Sequence, residues 1–335
     1  MPNSTLNLRM TRRQAIGATL ATGATLLHGS PALAQADWPT KPVTLVVGYP
    51  PGGQTDFIAR ALTAGLQSSL GQPVIVDNKA GANGAIGSEY VLQAPADGYR
   101  LLAGNVAITI APHVYTKAKM PDPLKFTPIG TMLTSGLVLL VPATSPVKDF
   151  KQFVQMVKET KGGIDYATSG AGGITHVTTE ILRERLGKPS MNHVAYKGSG
   201  PAAMDLIAGR VAAMFDAVSV VSPFIKSGQL RAIMTTSKTR VPALPDVPTA
   251  AECGLKDFEI YAFIGLYGPP NLPPAIIKRA NAALNTALVD PATRKAILER
   301  GDEPGGGTPE ALANMTRDYH AMFGKIVKEN NIQAD

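Results

Sequence analysis

Along the chain, short runs of β-branched and aliphatic residues alternate with stretches whose apolar positions recur every three or four residues. That alternation predicts an α/β protein with parallel strands. Residues 43–47 read as a buried strand, 57–70 as a helix, 73–77 as the next strand, 86–93 as a helix and 100–103 as a third strand. Residues 136–142 form a longer apolar strand. A second set follows: helix 149–161, strand 165–168, helix 177–186, strand 193–196 and helix 201–208. Strands at 211–215, 230–235 and 263–267 come next. Helices at 276–289, 292–299 and 309–329 close the chain, with no further strand.

Both halves open in the same way, with a strand, a glycine-rich loop and a helix. The first loop is Tyr49-Pro50-Pro51-Gly52-Gly53-Gln54-Thr55-Asp56, and the second is Ser169-Gly170-Ala171-Gly172-Gly173-Ile174-Thr175-His176. Thr55 or Asp56 in one, and Thr175 in the other, are placed to cap the helix that follows. Unpaired amides and the positive end of the macrodipole make a helix start an anion site. Glycines clear side chains so that the backbone can reach a ligand. In open α/β sheets such loops lie at the carboxyl ends of the strands, where ligands bind. Two of them facing each other would hold one carboxylate each. His176 sits where the second helix begins and is a candidate to shape the pocket. Asn83, in a segment with glycine at every third position, is a candidate to face the ligand. Asp216, at the end of a strand, is either a solvated turn residue or a pocket carboxylate that accepts from a ligand amine or hydroxyl, or from a bridging water.

Composition narrows the function. Of 335 residues, 44% are hydrophobic and 17% charged, which suits a two-domain globular protein. No uninterrupted apolar run approaches the roughly 20 residues of a membrane-spanning helix. Residues 1–36 have the basic, apolar and small-residue regions of a secretory signal peptide, with overlapping A-x-A sites that put cleavage near Ala34 or Ala36. Thr11-Arg12-Arg13-Gln14-Ala15-Ile16 also resembles a twin-arginine signal, with Ala15 in place of the usual Phe. The mature protein is therefore expected in the periplasm. The net charge is +7, but removing the three leader arginines leaves 29 basic residues against 25 acidic. That residue of charge suits an acidic small molecule and forms no nucleic-acid face.

Catalytic and metal motifs are missing. There is no G-x-S-x-G elbow, phosphate loop or full dinucleotide fingerprint, and the histidines have no metal-ligand spacing. The lone Cys253 permits no internal disulfide and reads as a small buried hydrophobe. No cofactor is expected. The one enzymatic alternative, a secreted hydrolase or lyase acting on an organic acid, would pair His176 with Ser169, and no third orienting residue is visible. A regulator's effector domain would require a DNA-binding helix-turn-helix, whereas this chain begins with an export signal.

A set of segments in fixed order resembles the Bug-type periplasmic solute-binding receptors of tripartite tricarboxylate transporters. They are Trp38-Pro39-Thr40-Lys41-Pro42-Val43, residues 51–60, residues 71–79, Pro95-Ala96-Asp97-Gly98-Tyr99, residues 195–202 and Leu244-Pro245-Asp246-Val247-Pro248-Thr249. The resemblance spans essentially the whole mature chain. It implies a two-domain Venus-flytrap fold with two crossover strands, 137–141 and 263–267. Domain 1 would comprise residues 37–139 plus 264–335, and domain 2 residues 140–263. It also implies that Pro51, Gly52, Gly53, Gln54 and Thr55 face Ser169, Gly170, Gly172, Gly173 and His176 across a cleft, with Asp216 beside them. Tyr49, Asn83, Asn105 and Lys197 complete the candidate set. The expected protein is a monomer that passes a carboxylate, a dicarboxylate by preference, to a membrane permease or presents it to a sensor kinase. Ile174 stands where a hydroxyl residue is common in the family, and Ala262-Phe263 replaces a tryptophan. Both make the middle of the cleft less polar, which suits an aliphatic or aromatic diacid over a hydroxylated one such as citrate.

Overall fold

A computed structural model describes residues 38–334; the leader and its cleavage sites lie outside the described residues. The first strand set is β1 (Val43–Val47), β2 (Val74–Asn78) and β3 (Arg100–Asn105). Helices α1 (Gln54–Leu70), α2 (Ala85–Leu92) and α3 (Ala107–Val114) accompany these strands, and β4 (Thr127–Pro142) follows. The second set is α4 (Phe150–Glu159), β5 (Ile164–Thr168), α5 (Ile174–Arg185), β6 (Met191–Ala195), α6 (Ser199–Ile207), β7 (Ala213–Ala217), α7 (Val218–Lys226) and β8 (Leu230–Thr235). The chain then returns through β9 (Tyr261–Gly268), α8 (Pro274–Val289), α9 (Pro291–Glu299), β10 (Glu303–Gly306) and α10 (Pro309–Glu329).

Among the described residues ten strands join in the order β2-β1-β3-β9-β4-β7-β5-β6, with β8 and β10 also paired to β4. Parallel pairs run at both ends, β1 with β2 and β3, and β5 with β6 and β7. Antiparallel pairs occupy the middle. The 16-residue β4 changes partners along its length: Thr127 to Gly136 pair with β9, and Leu137 to Leu140 with β7. Leu137, Leu139 and Val141 enter one hydrophobic cluster and Val138 and Leu140 another. A strand covered on both faces needs apolar residues at every position, which is why this segment shows no alternation.

Local chemistry accounts for most boundaries. In α1 the buried Ile58, Ala59, Leu62, Leu66 and Leu70 make one face, and Gly71 ends the helix in the left-handed region at φ 72°. Asp149 caps α4 by accepting from the Gln152 amide at 2.8 Å. Four differences from the sequence reading stand out. Helices α3 and α7 are additional to the expected elements; they are only eight and nine residues long and contain Pro112 and Pro223, which in sequence read as helix breakers. The Glu-Pro-Gly-Gly strand β10 has no strand propensity and is held by pairing to Thr131–Thr134 of β4. Strand β4 begins nine residues before Gly136. Strand β7 starts and ends two residues later than expected, which puts Asp216 inside the strand opposite Val138.

Candidate functional site

The two glycine loops are built on one plan, offset by 120 residues. Gly53 precedes α1 with φ −76° and ψ 172°, and Gly173 precedes α5 with φ −80° and ψ 172°. The residues before them, Gly52 at φ +93° and Gly172 at φ +68°, occupy a region that side chains disfavour. Neither helix has a side chain on its cap residue, so Thr55, Asp56 and Thr175 do not fill the capping role expected of them. The third residue of each helix instead reaches back to the amide ahead of the cap. Asp56 Oδ2 accepts from Gly52 N at 2.9 Å, and His176 Nδ1 accepts from Gly172 N at 3.1 Å. Thr175 Oγ1 accepts from the Ser169 amide at 3.2 Å. The first amides of α1 and α5 have no acceptor within their own helices, and they carry the positive end of the dipole.

The electrostatics of the loops differ. Asp56 is a buried carboxylate held by Arg60 Nε at 3.0 Å and Asn78 Nδ2 at 2.9 Å. The Arg60 hydrogen bond is the main reason its pKa falls to about 2. His176 is buried as well. Its Nδ1 is an acceptor, so its proton sits on Nε2 and the ring is neutral. The ring stacks on His193 with centroids 3.7 Å apart. Burial first, then His193 and Arg183, push its pKa down to about 3. Beneath it, Tyr166 donates to Glu180 Oε1 at 2.7 Å, Arg183 pairs with Glu180 Oε2, and Thr168 Oγ1 lies 2.7 Å from His193 Nε2.

A cavity of about 560 Å³ lies where the strand sets meet, a size suited to a small molecule. Of the candidate residues, Gln54, Asn83, Asn105, Ser169, Gly170, Gly173 and Asp216 line it. Tyr115, Thr175 and the apolar Val106, Leu137, Ile174, Val220 and Phe263 complete most of the wall. Among the described residues, no lysine, arginine or histidine lines it. A second hollow of the same volume, among Glu89, Lys119, Asp122 and Lys125, contains none of the candidates and has mixed charge.

The other candidates stand outside the lining. Tyr49 lies behind it, its hydroxyl 3.0 Å from Asn105 Oδ1 and 3.1 Å from the Asn83 carbonyl, and burial pushes its phenol up to about 12. Pro51, Gly52, Gly53 and Thr55 form the body of the first loop, and Gly172 and His176 that of the second. Lys197 is exposed. Ser169 Oγ lies 3.1 Å from Thr175 Oγ1, while His176 Nδ1 is engaged by Gly172, so Ser169 and His176 are not joined as nucleophile and base.

Two contacts were not foreseeable from local sequence. Gln54 Nε2, from the first loop, donates to Ser219 Oγ of α7 at 3.1 Å and to Asp302 Oδ1 at 2.9 Å. Asp302 is buried, and that burial raises its pKa. Asp216 is 4% exposed; its Oδ1 accepts from the Ala217 amide at 2.8 Å, and its Oδ2 has no hydrogen-bond partner among the described residues. Burial pushes its pKa up to about 6, against the Ser199 hydroxyl and Ala217 amide that favour the charged form.

Two parallel strand sets linked through β4 and β9, with helix starts converging on a polar hollow, define a periplasmic-binding-protein fold. The profile described as "Tripartite tricarboxylate transporter family receptor" matches residues 58–332, and the chain belongs to that family. It is 33% identical over 326 residues to protein BugT of Bordetella pertussis, covering 96% of this chain and 98% of BugT. Among solved structures, periplasmic binding protein BugD is 31% identical with a TM-score of 0.71, over 88% of this chain and 99% of that one. R. palustris Rpa4515 with adipate is 30% identical with a TM-score of 0.75, over 88% and 99%. MatC (Rpa3494) from Rhodopseudomonas palustris with bound malate is 30% identical with a TM-score of 0.71, over 87% and 100%. The family consists of substrate-binding receptors, so the chain is a binding protein of the Bug type and not an enzyme.

Proposed function

We propose that the protein captures a dicarboxylate in the cavity between the two loops and delivers it to the membrane permease of a tripartite tricarboxylate transporter. The observation that carries this reading is the pairing of two matched helix starts on one cavity whose described lining has no cationic side chain. Anion recognition there falls to backbone amides, the Asn83 and Asn105 amide groups and the Ser169 and Thr175 hydroxyls. The adipate and malate of the two Rhodopseudomonas proteins support a diacid. Ile174, Val220 and Phe263 favour an aliphatic chain between its ends.

In this reading residues 37–139 plus 264–335 form one domain and 140–263 the other, and they close on the ligand. Closure needs only a few kcal/mol of differential affinity between open and closed states. The receptor acts in the periplasm as a monomer once the leader is cleaved near Ala34 or Ala36, and no observation favours a sensor kinase over the permease as partner.

Thermal unfolding of the refolded mature protein against mono-, di- and tricarboxylates tests the proposal. A diacid at 100 times its dissociation constant should add about 2.7 kcal/mol of stability. No shift with any carboxylate would overturn it.

A further inference from the structure

Asp216 is at odds with an anion-binding cavity. It is the single carboxylate in the lining, it is buried, and its Oδ2 has no partner among the described residues. A fully ionised diacid entering this cavity would meet an uncompensated charge of its own sign in a low-dielectric wall, an arrangement that two carboxylates resolve by sharing a proton.

Among the described residues, none around Asp216 supplies a compensating cation. Strand β4, paired along one side, has no titratable side chain. On β5, Asp165 accepts from Asn192 and Tyr166 donates to Glu180. On α5, Glu180 is paired with Arg183 and His176 is neutral. On α6, Asp205 is tied to Tyr196 and Arg210, and on α7 Lys226 is exposed. Lys197, ahead of α6, is exposed too, and Asp302 is engaged by Gln54. None of these groups forms a hydrogen bond or ion pair with Asp216; the Ser199 hydroxyl at the start of α6 favours its charged form but brings no positive charge to offset a ligand carboxylate.

We propose that the cavity takes up its diacid together with one proton, shared between Asp216 Oδ2 and a carboxylate of the ligand. The inference rests on the carboxylate-receptor reading above and names the protonation state in which the ligand is held. The proton comes from solvent, and no covalent bond changes. A ligand ammonium is the competing way to satisfy Oδ2, but it brings three donors. Among the lining acceptors, Asn105 Oδ1 is already used by Tyr49 and Ala107, and Thr175 Oγ1 by the Ser169 amide. One free carboxylate oxygen matches one bridging proton. The upward shift of the Asp216 pKa in the unliganded protein, caused by burial, acts in the same direction.

Calorimetric titration of the refolded protein with succinate, glutarate, adipate, aspartate and glutamate tests this, run from pH 5 to 8 in two buffers of different ionisation enthalpy. The expected result is uptake of about one proton per diacid bound at pH 7.5, with Kd rising about tenfold per pH unit between 6.5 and 8. Asp216→Asn, which supplies a permanent amide donor, should show no proton uptake, a Kd flat across that range and tighter binding than wild type at pH 8. Diacid binding without proton uptake by the wild type would overturn the inference and leave the receptor reading standing, and this count needs no variant. Tighter binding of aspartate or glutamate than of any plain diacid, without uptake, would overturn it in favour of an ammonium. No binding of any acid at any pH would overturn the receptor reading itself.

Discussion

The loops before α1 and α5 end on cap glycines whose backbone angles agree to within a few degrees, each preceded by a glycine at positive φ, yet they are stabilised differently. In the first, the back-reaching residue is Asp56, a charge neutralised by Arg60 and Asn78. In the second it is His176, uncharged and stacked on His193. The first helical positions differ as well, since Gln54 reaches Ser219 and Asp302 while Ile174 faces the cavity as a hydrocarbon. One backbone solution therefore tolerates opposite polarities beneath it. What the loops have in common is the set of amides they present; what distinguishes them is the pH range over which each persists.

The largest effect should come from the charged loop. Asp56→Ala leaves the Gly52 amide, Asn78 and Arg60 without their shared acceptor and should cost about 3 kcal/mol in urea unfolding at pH 7. Because the folded pKa of Asp56 is depressed to about 2, its contribution is complete above the ordinary aspartate value near 3.8 and fades only as pH falls from there toward 2. The deficit of the variant should thus stay constant from pH 7 to 4.5.

His176→Ala should cost less, about 1–2 kcal/mol at pH 7, from one lost hydrogen bond and lost ring packing. Its pH dependence sets it apart. A folded pKa near 3 against 6.5 unfolded means that the neutral ring stabilises fully above pH 6.5 and progressively less as pH falls toward 3. The variant should become the more stable of the two near pH 5. Unfolding curves at pH 7, 6 and 5 check this; equal losses and parallel pH profiles for the two variants would erase the distinction between the loops.

The smallest effect belongs to the first helical position. Ile174→Thr adds a hydroxyl to the cavity wall and should shift the preference between hydroxylated and plain diacids by about 3- to 10-fold. Competition binding of malate against succinate reads it directly.

The sequence made the loops legible because glycine followed by a helix start is a local signature, and it occurred twice. The pairing of Asp56 and His176 with the amides at i−4 was hidden, since it replaces an ordinary cap that Thr55, Asp56 or Thr175 also fits on paper. Asp216 was ambiguous because a two-residue difference in the span of β7 separates a solvated turn from a buried strand. Asp302 and Ser219 reach Gln54 across separations of 248 and 165 residues, which no window of sequence reveals. Helices α3 and α7 were masked by their shortness and by the internal Pro112 and Pro223, and β10 exists only because β4 offers an edge.

Strand β4 also governs how the molecule comes apart. Its Thr127 to Gly136 half is paired with β9 and its Leu137 to Pro142 half lies between β7 and β8, so one continuous strand is shared by both parts of the sheet, and melting either part strips the partners from half of it. The protein should therefore lose structure in one cooperative step, and the amides of Val138 to Leu140 should be among the last to exchange with deuterium.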